Sequence, residues 1–329
     1  MESEKLESAY AQCRAIARRE AKNFYYSFVA LPKPRRNAIC AIYAFMRQAD
    51  DLADDETIST EERRKRLDAW LGEWRSVSAN PDSEIASSDP VFIAVRDATE
   101  RFQIPLNLLD ELVAGVTMDL NHSVTDPTRD EKAPCPILSA PFAERVGNHE
   151  PDTYATFADL YRYCYLVASV VGLVCIRIFG YQDPRAEKLA EETGIAFQLT
   201  NILRDVAEDA ERIRVYLPLE DLAAHKVSLE SLLHRKAAAP PTENERALLR
   251  EIGRRAEGYY QSAQNLMPLI DKESRPALWV LVTIYHALLK RIERADYDVF
   301  SRRASVPMME KLAILAVGLF RMGWVRLFS

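Results

Sequence analysis

Tyr43-Ala-Phe-Met-Arg47-Gln-Ala-Asp50-Asp51-Leu-Ala-Asp54-Asp55 and, much later in the chain, Gln198-Leu-Thr-Asn201-Ile-Leu-Arg204-Asp205-Val-Ala-Glu208-Asp209 are two versions of one design. Each sets acidic residues four apart and places polar residues before them at helical spacing. On an α-helix Tyr43, Arg47, Asp50 and Asp54 share a face, and so do Gln198, Asn201, Asp205 and Asp209. Like charges at that spacing weaken a helix unless something neutralises them. Both runs lie in or beside strongly apolar helix, 38–49 and 195–203, where unneutralised carboxylates are costly. The apolar residues Ile39, Ile42, Tyr43 and Met46 recur at the helical period, which assigns this stretch to a core-facing helix.

Magnesium prefers oxygen ligands, keeps several waters, and takes one or two carboxylates together with substrate phosphates. Two Asp-rich helix faces opposite each other suit that need, with Asn201 as a neutral oxygen donor. Arg47, Arg204 and Arg214 add donors for phosphate or for orienting carboxylates. One such cluster alone reads equally well as a solvated acidic helix end; two matching clusters favour the metal reading. Aromatic residues crowd the same regions (Phe24, Tyr25, Tyr26, Phe28, Tyr43, Phe45, then Tyr161, Tyr163, Tyr165, Phe197). Core packing is their default role, and beside a site that ionises an allylic diphosphate their faces also stabilise cations.

Helical periodicity dominates elsewhere. It predicts helices near 5–21, 33–54, 60–77, 90–102, 105–121, 154–179, 185–209, 242–268, 274–296 and 307–327, with no convincing strand. The segment 160–179 is apolar nearly all round and reads as a buried central helix. Two stretches read as loops: 78–90, and 122–151 with Pro127, Pro134, Pro136, Pro141 and Pro151. A loop as long as the second is usually functional or mobile. No composition shift divides the 329 residues, so a single all-α domain spanning 1–329 is expected.

A net charge of −6 argues against nucleic-acid binding through a basic surface. Cys13, Cys40, Cys135, Cys164 and Cys175 are odd in number and form no CxxC, which reads as reduced thiols in a cytoplasmic protein. The first residues, MESEKLESAYAQ, lack the apolar core of a signal peptide. No segment reads as reaching the roughly 18 apolar residues needed to span a bilayer. The five histidines form no close pair, and no HExxH, GxSxG, P-loop or GxGxxG occurs.

The motifs resemble the squalene/phytoene synthases. Residues 43–54 look like that family's first signature, and 194–209 running on to Arg214-Val-Tyr216-Leu-Pro218 look like its second. Tyr163-Cys-Tyr165-Leu-Val-Ala-Ser169-Val-Val-Gly172 resembles the helix between them. Asn23-Phe24-Tyr25-Tyr26-Ser27-Phe28 with Leu31-Pro32 resembles the substrate-binding N-terminal segment, and Tyr297-Asp-Val-Phe300 with Arg302-Arg303 the C-terminal end. The resemblance spans about 20–315. It implies the all-α isoprenoid (terpenoid) synthase fold around a central apolar cavity, and head-to-head condensation of two prenyl diphosphates with two or three Mg²⁺ ions. It further implies that Asp50, Asp51 and Asp54 hold metal on one side and Asn201, Asp205 and Asp209 on the other. Gln198 would line the cavity, Arg47, Arg214 and Tyr216 would bind substrate, Tyr43 and Tyr163 would sit near the reacting carbons, and Phe24 and Phe28 would line the prenyl channel.

Three departures stand out: Ile213 where the family often has glycine, Ser169 where glycine is commoner, and the long 122–151 stretch. Val167-Ala-Ser169 and Ile178-Phe-Gly-Tyr181 followed by Pro184 look like bacterial (pre)squalene synthases of hopanoid pathways. That favours farnesyl diphosphate, giving presqualene diphosphate or, with hydride from NADPH, squalene. The alternative within the family is phytoene synthesis from geranylgeranyl diphosphate, on the way to carotenoids. The alternative of another class is a non-catalytic helical scaffold with acidic faces. The segment 307–329 reads as an amphipathic helix, either a last core helix or a dock on a membrane surface, so the expected location is cytoplasmic with peripheral membrane contact.

Overall fold

The computed structural model describes residues 2–55, 57–79, 89–122, 152–235 and 239–328. The chain is built of helices: α1 (Glu2–Glu20), α2 (Lys22–Val29), α3 (Lys33–Ala53), α4 (Thr60–Ala79), α5 (Pro90–Phe102), α6 (Leu106–His122), α7 (Phe157–Cys164), α8 (Val170–Phe179), α9 (Arg185–Glu211), α10 (Leu219–Ala224), α11 (Leu229–Leu233), α12 (Glu243–Leu266), α13 (Arg275–Arg294) and α14 (Met308–Phe328). The helical periods of the sequence locate the long ones to within a few residues. Three helices were not anticipated: α2, whose Asn-Phe-Tyr-Tyr run has no clean polar face, and the short α10 and α11. A parallel pairing of β1 (Asp152–Thr153) with β2 (Arg214–Val215) was also unforeseen, since two residues carry no period. The expected 122–151 loop lies, from residue 123 to 151, outside the described residues, as does 80–88 of the expected 78–90 loop.

Helix α3 is the hub of the first half. Pro32 caps it and Pro34 sits in its first turn, where a missing N–H is harmless. Ala38, Ala41, Ala44, Ala49 and Ala53 are buried and let α1, α5 and α6 pack close against it. Phe45 then meets Trp70 and Trp74 of α4 and Phe92 of α5, with ring centroids 4.7, 5.2 and 6.3 Å away. Aromatic pairs of this kind contribute about 0.5–1.5 kcal/mol each beyond the area they bury. Helix α9 is the hub of the second half, packed along α12 and against α8 and α13. Helix α8 touches both α3 and α9 and so bridges the two hubs, while α13 joins α9 to α2. Val282 of α13 packs against both apolar cores.

The central helix is interrupted. Between α7 and α8 the residues Tyr165–Ser169 form a π-helical turn, a feature that in helices often marks a functional site. Two glycines clamp it: a Cβ on Gly115 would stand 2.9 Å from the Leu166 carbonyl oxygen, and one on Gly194 2.6 Å from Ser169 Cα. Ser169 is fully buried and its hydroxyl donates to the Glu191 carbonyl at 2.7 Å. The extra hydroxyl therefore ties the π turn to α9. The stretch Phe157–Phe179 is, by length and composition, apolar enough to cross a bilayer, contrary to the sequence reading. Here it packs between α6 and α9 as a core helix.

Gly194→Ala should destabilise the protein by about 1–3 kcal/mol, because backbone atoms of the π turn must move aside. Urea denaturation measures it; an unchanged midpoint would mean the turn is loosely held.

Candidate functional site

The first acidic face is the last two turns of α3. Arg47 pairs with Asp51 one turn on, and the Asp54 amide donates to the Asp50 carbonyl at 2.8 Å, closing the helix. Asp51 and Asp54 are exposed and Asp50 is part-buried. Tyr43 is half-buried, its ring edge-on to Phe28 at 6.1 Å. Burial pushes the Tyr43 hydroxyl up to about 12, with Asp50 adding to the shift and Arg47 opposing it. It stays protonated and can donate a hydrogen bond. The side chain of Phe24 lies outside the described residues.

The second face runs along the last three turns of α9. The Asn201 amide nitrogen reaches Gln198 Oε1 at 3.3 Å, whereas Asn201 Oδ1 is buried with no hydrogen-bond partner. Asp205 is only 15% exposed and is held by two arginines. Arg204 Nε donates to its Oδ1 at 2.8 Å, and Arg303 Nε to the same oxygen at 2.8 Å. Arg303 also reaches Glu208 at 3.3 Å. At Asp209, burial first, then the neighbouring Asp205 and Glu208 charges, raise the carboxyl to about 6, against Arg214 and Arg212. Beyond the helix, Ile213 adopts φ +60° with its side chain exposed. A β-branched residue in the left-handed region is strained by about 1–3 kcal/mol. The turn that glycine would make freely is thus made here at a cost, and it carries Arg214 into β2, beside Asp209.

Next to β2 three tyrosines stack. Tyr216 lies 5.0 Å from Tyr163 and 6.1 Å from Tyr154, both nearly parallel. Tyr163 is buried in this stack. Arg214, Tyr216, Tyr163 and Asp209 therefore form one neighbourhood, and Tyr43, Arg47 and Asp50 another. The segment after α13 reaches α9 and α2: Arg303 holds Asp205, while the Tyr26 hydroxyl of α2 donates to Met308 Sδ. Arg303, Tyr285 and Tyr154 stand at this candidate site without a role in the motif reading, whereas Arg204 was expected as a donor there. Arg303 was signalled by its place in the C-terminal Arg-Arg pair. Tyr285, stacked on Phe197 at 4.5 Å and in contact with Asn201, had no signal beyond an apolar helix.

Among the described residues, no three His, Cys, Asp or Glu side chains converge into a preformed metal cage. That is compatible with magnesium, whose shell is completed by water and substrate phosphate. The oxygen donors present suit it: the orphaned Asn201 Oδ1 and the strained charge of Asp209 are both relieved by a cation. Asp205, expected as a free ligand, is engaged by Arg204 and Arg303, so binding metal there requires Arg303 to yield or to share.

A family model described as squalene/phytoene synthase matches residues 17–310. The chain is 32% identical over 328 residues to a phytoene synthase of Arthrospira platensis, covering 95% of this chain and 93% of the relative. It is 32% identical to a 15-cis-phytoene synthase of Synechococcus elongatus, covering 96% and 94%. Its fold superposes on the crystal structure of a dehydrosqualene synthase with ligand at a TM-score of 0.75, 25% identity, covering 98% of this chain and 99% of that one.

Asp209 supplies a pH test. Its folded-state value lies above the ordinary 3.8, so the folded protein binds the extra proton between pH 3.8 and about 6, and stability falls as pH rises through that window. Asp209→Asn removes the ionisation. The variant should be more stable than wild type at neutral pH, with the gap closing as the pH is lowered toward 4, measured as urea midpoints. A variant less stable at neutral pH would contradict the assignment.

Proposed function

The chain belongs to the squalene/phytoene synthase family and is a prenyltransferase of the head-to-head type, and from that premise we propose that it joins two geranylgeranyl diphosphates into a phytoene-type hydrocarbon. The observation that carries the chain length is identity to phytoene synthases along nearly the whole chain. The sequence motifs alone leaned toward farnesyl diphosphate and the hopanoid branch. The residues behind that lean have packing explanations: Ser169 ties the π turn to α9, Ile178 and Phe179 are core, and Gly180 closes α8 at φ +81°. Farnesyl condensation keeps one support, the likeness to a dehydrosqualene synthase structure.

In this reading Asp50, Asp51 and Asp54 on α3 and Asn201, Asp205 and Asp209 on α9 hold magnesium and, through it, diphosphate. Bound magnesium would offset the charge that builds on the departing diphosphate. Arg47 orients Asp51, and Arg214 supplies positive charge beside Asp209. The protonated Tyr43 hydroxyl donates toward anionic oxygen, and its ring, with those of Phe28 and Tyr163, presents aromatic faces to an allylic cation. The buried walls of Phe28, Tyr163 and part-buried Gln198 keep water from the cation. Attack by the second substrate's double bond, then proton loss to released diphosphate, closes a cyclopropyl intermediate. A second ionisation opens the ring, and proton loss ends the sequence without a hydride donor, so no NADPH is required.

Incubating the purified protein with magnesium and either diphosphate, with and without NADPH, tests this. The expected result is a forty-carbon hydrocarbon from geranylgeranyl diphosphate, unaffected by NADPH. Turnover confined to farnesyl diphosphate would reverse the chain-length assignment. Turnover of neither would leave the non-catalytic scaffold.

A further inference from the structure

Between α13 and α14 the backbone takes a strained path. Asp296 and Tyr297 stand one after the other in the left-handed region, at φ +50° and +57°. Aspartate tolerates that region, but a bulky tyrosine there is costly, and such strain persists only where the surroundings fix it. Helix α12 supplies part of that fixing. Arg246 donates to the Asp296 carbonyl at 2.8 Å and to its carboxylate at 2.7 Å, and Arg250 reaches the same carboxylate at 3.3 Å. The buried Tyr297 ring presses on Gly253, where a Cβ would meet its hydroxyl oxygen at 2.3 Å. Asp298 then accepts from the Ser301 N–H at 3.0 Å and closes the turn.

Arg235, just after α11, completes the clamp. Its side chain is only 14% exposed, and its guanidinium lies 3.8 Å from the centre of the buried Phe300 ring. The same guanidinium pairs with buried Glu245 and donates to the carbonyls of Ala239 and Pro240 at 3.1 and 2.6 Å. Glu245 is the capping-box residue of α12. One planar cation therefore joins the start of α12, the chain leading into it, and Phe300. Lysine would keep the charge opposite Glu245 but lacks the flat fork that stacks on a ring and grips two carbonyls.

What the clamped segment delivers is Arg303. Just past Phe300 its side chain emerges 56% exposed, with Nε on Asp205 at 2.8 Å and Nη1 3.3 Å from Glu208. Arg204 reaches Asp205 from the neighbouring position on α9. Arg303 has no helix to carry it, so its aim depends on the backbone of 296–301. We propose that Arg235 is a positioning residue for the acidic face of α9: by fixing Phe300 it aims Arg303 at Asp205, so that Arg303 shares Asp205 with a metal-held diphosphate instead of swinging away. The effect on ligand rests on the proposed function, in which α9 holds metal and diphosphate.

Calorimetric titration of the full-length protein with inorganic diphosphate in magnesium tests this across wild type, Arg235→Lys, Arg303→Gln and the double variant. Each single change should weaken binding about tenfold, and the double variant should bind no more weakly than Arg303→Gln alone. A merely structural Arg235 would cost the same factor in both backgrounds; that result, or wild-type affinity in Arg235→Lys, would overturn the proposal. Urea midpoints check the fold. If Arg235→Lys is unstable, Phe300→Leu takes its place in the cycle, since it keeps apolar bulk and leaves the Arg235–Glu245 pair intact, and the same outcomes decide. Wild type that binds no diphosphate would refute the metal–diphosphate reading and this proposal with it. Wild type that binds, with losses that multiply independently, would refute the proposal alone.

Discussion

Carboxylates on helices whose opposite faces are core are the constraint around which the structure is arranged. Asp205 and Asp209 sit on α9, with Ile202, Leu203 and Val206 buried beside them. Leaving charges there without partners is unfavourable, and the protein answers differently at each. Asp205 receives two arginines, one from its own helix and one from far along the chain. Asp209 is left with its charge strained by burial and by its acidic neighbours. A site that binds a cation needs such a residue: complete neutralisation by arginine would stabilise the fold and close the position to metal. The unmatched Asn201 oxygen one turn earlier is the uncharged form of the same condition.

The helical scaffold was legible because it rests on periods that extend over many residues. Phe45, Phe92 and the alanines of α3, or Leu199, Ile202 and Leu203 of α9, repeat often enough to fix an element and its buried side. What escaped had no period. Helix α2 is eight residues with aromatics on several sides, and β1 and β2 are two residues each, formed only because Arg214 and Asp152 meet across the chain. The π turn was invisible for the same reason: Tyr165–Ser169 reads as uninterrupted helix, and only the close approach of Gly115 and Gly194 reveals that the backbone there is displaced.

The site divided along similar lines. Residues that share a helix face, such as Tyr43 with Asp50 and Gln198 with Asp209, are recoverable from spacing alone. Partners contributed from elsewhere are not: Arg303 reaches Asp205 across 98 positions of sequence, and Tyr154, Tyr163 and Tyr216 stack from separate elements. The departure at Ile213 is instructive. The resemblance marked Ile213 as a departure where the family often has glycine; the structure places isoleucine in the left-handed region that glycine adopts freely. Retaining strain beside the site fits a backbone path dictated by where Arg214 must point.

The central claim is that the acidic faces of α3 and α9 act on one ligand. Calorimetric titration of the protein with a non-ionising thiodiphosphate analogue of geranylgeranyl diphosphate, in magnesium, tests it through a double-mutant cycle of Asp50→Asn and Asp209→Asn. If both faces grip the same diphosphate–metal assembly, each variant weakens binding and the double variant departs from the sum by about 0.5–3 kcal/mol. Losses that simply add, or a variant that binds as tightly as wild type, would contradict it.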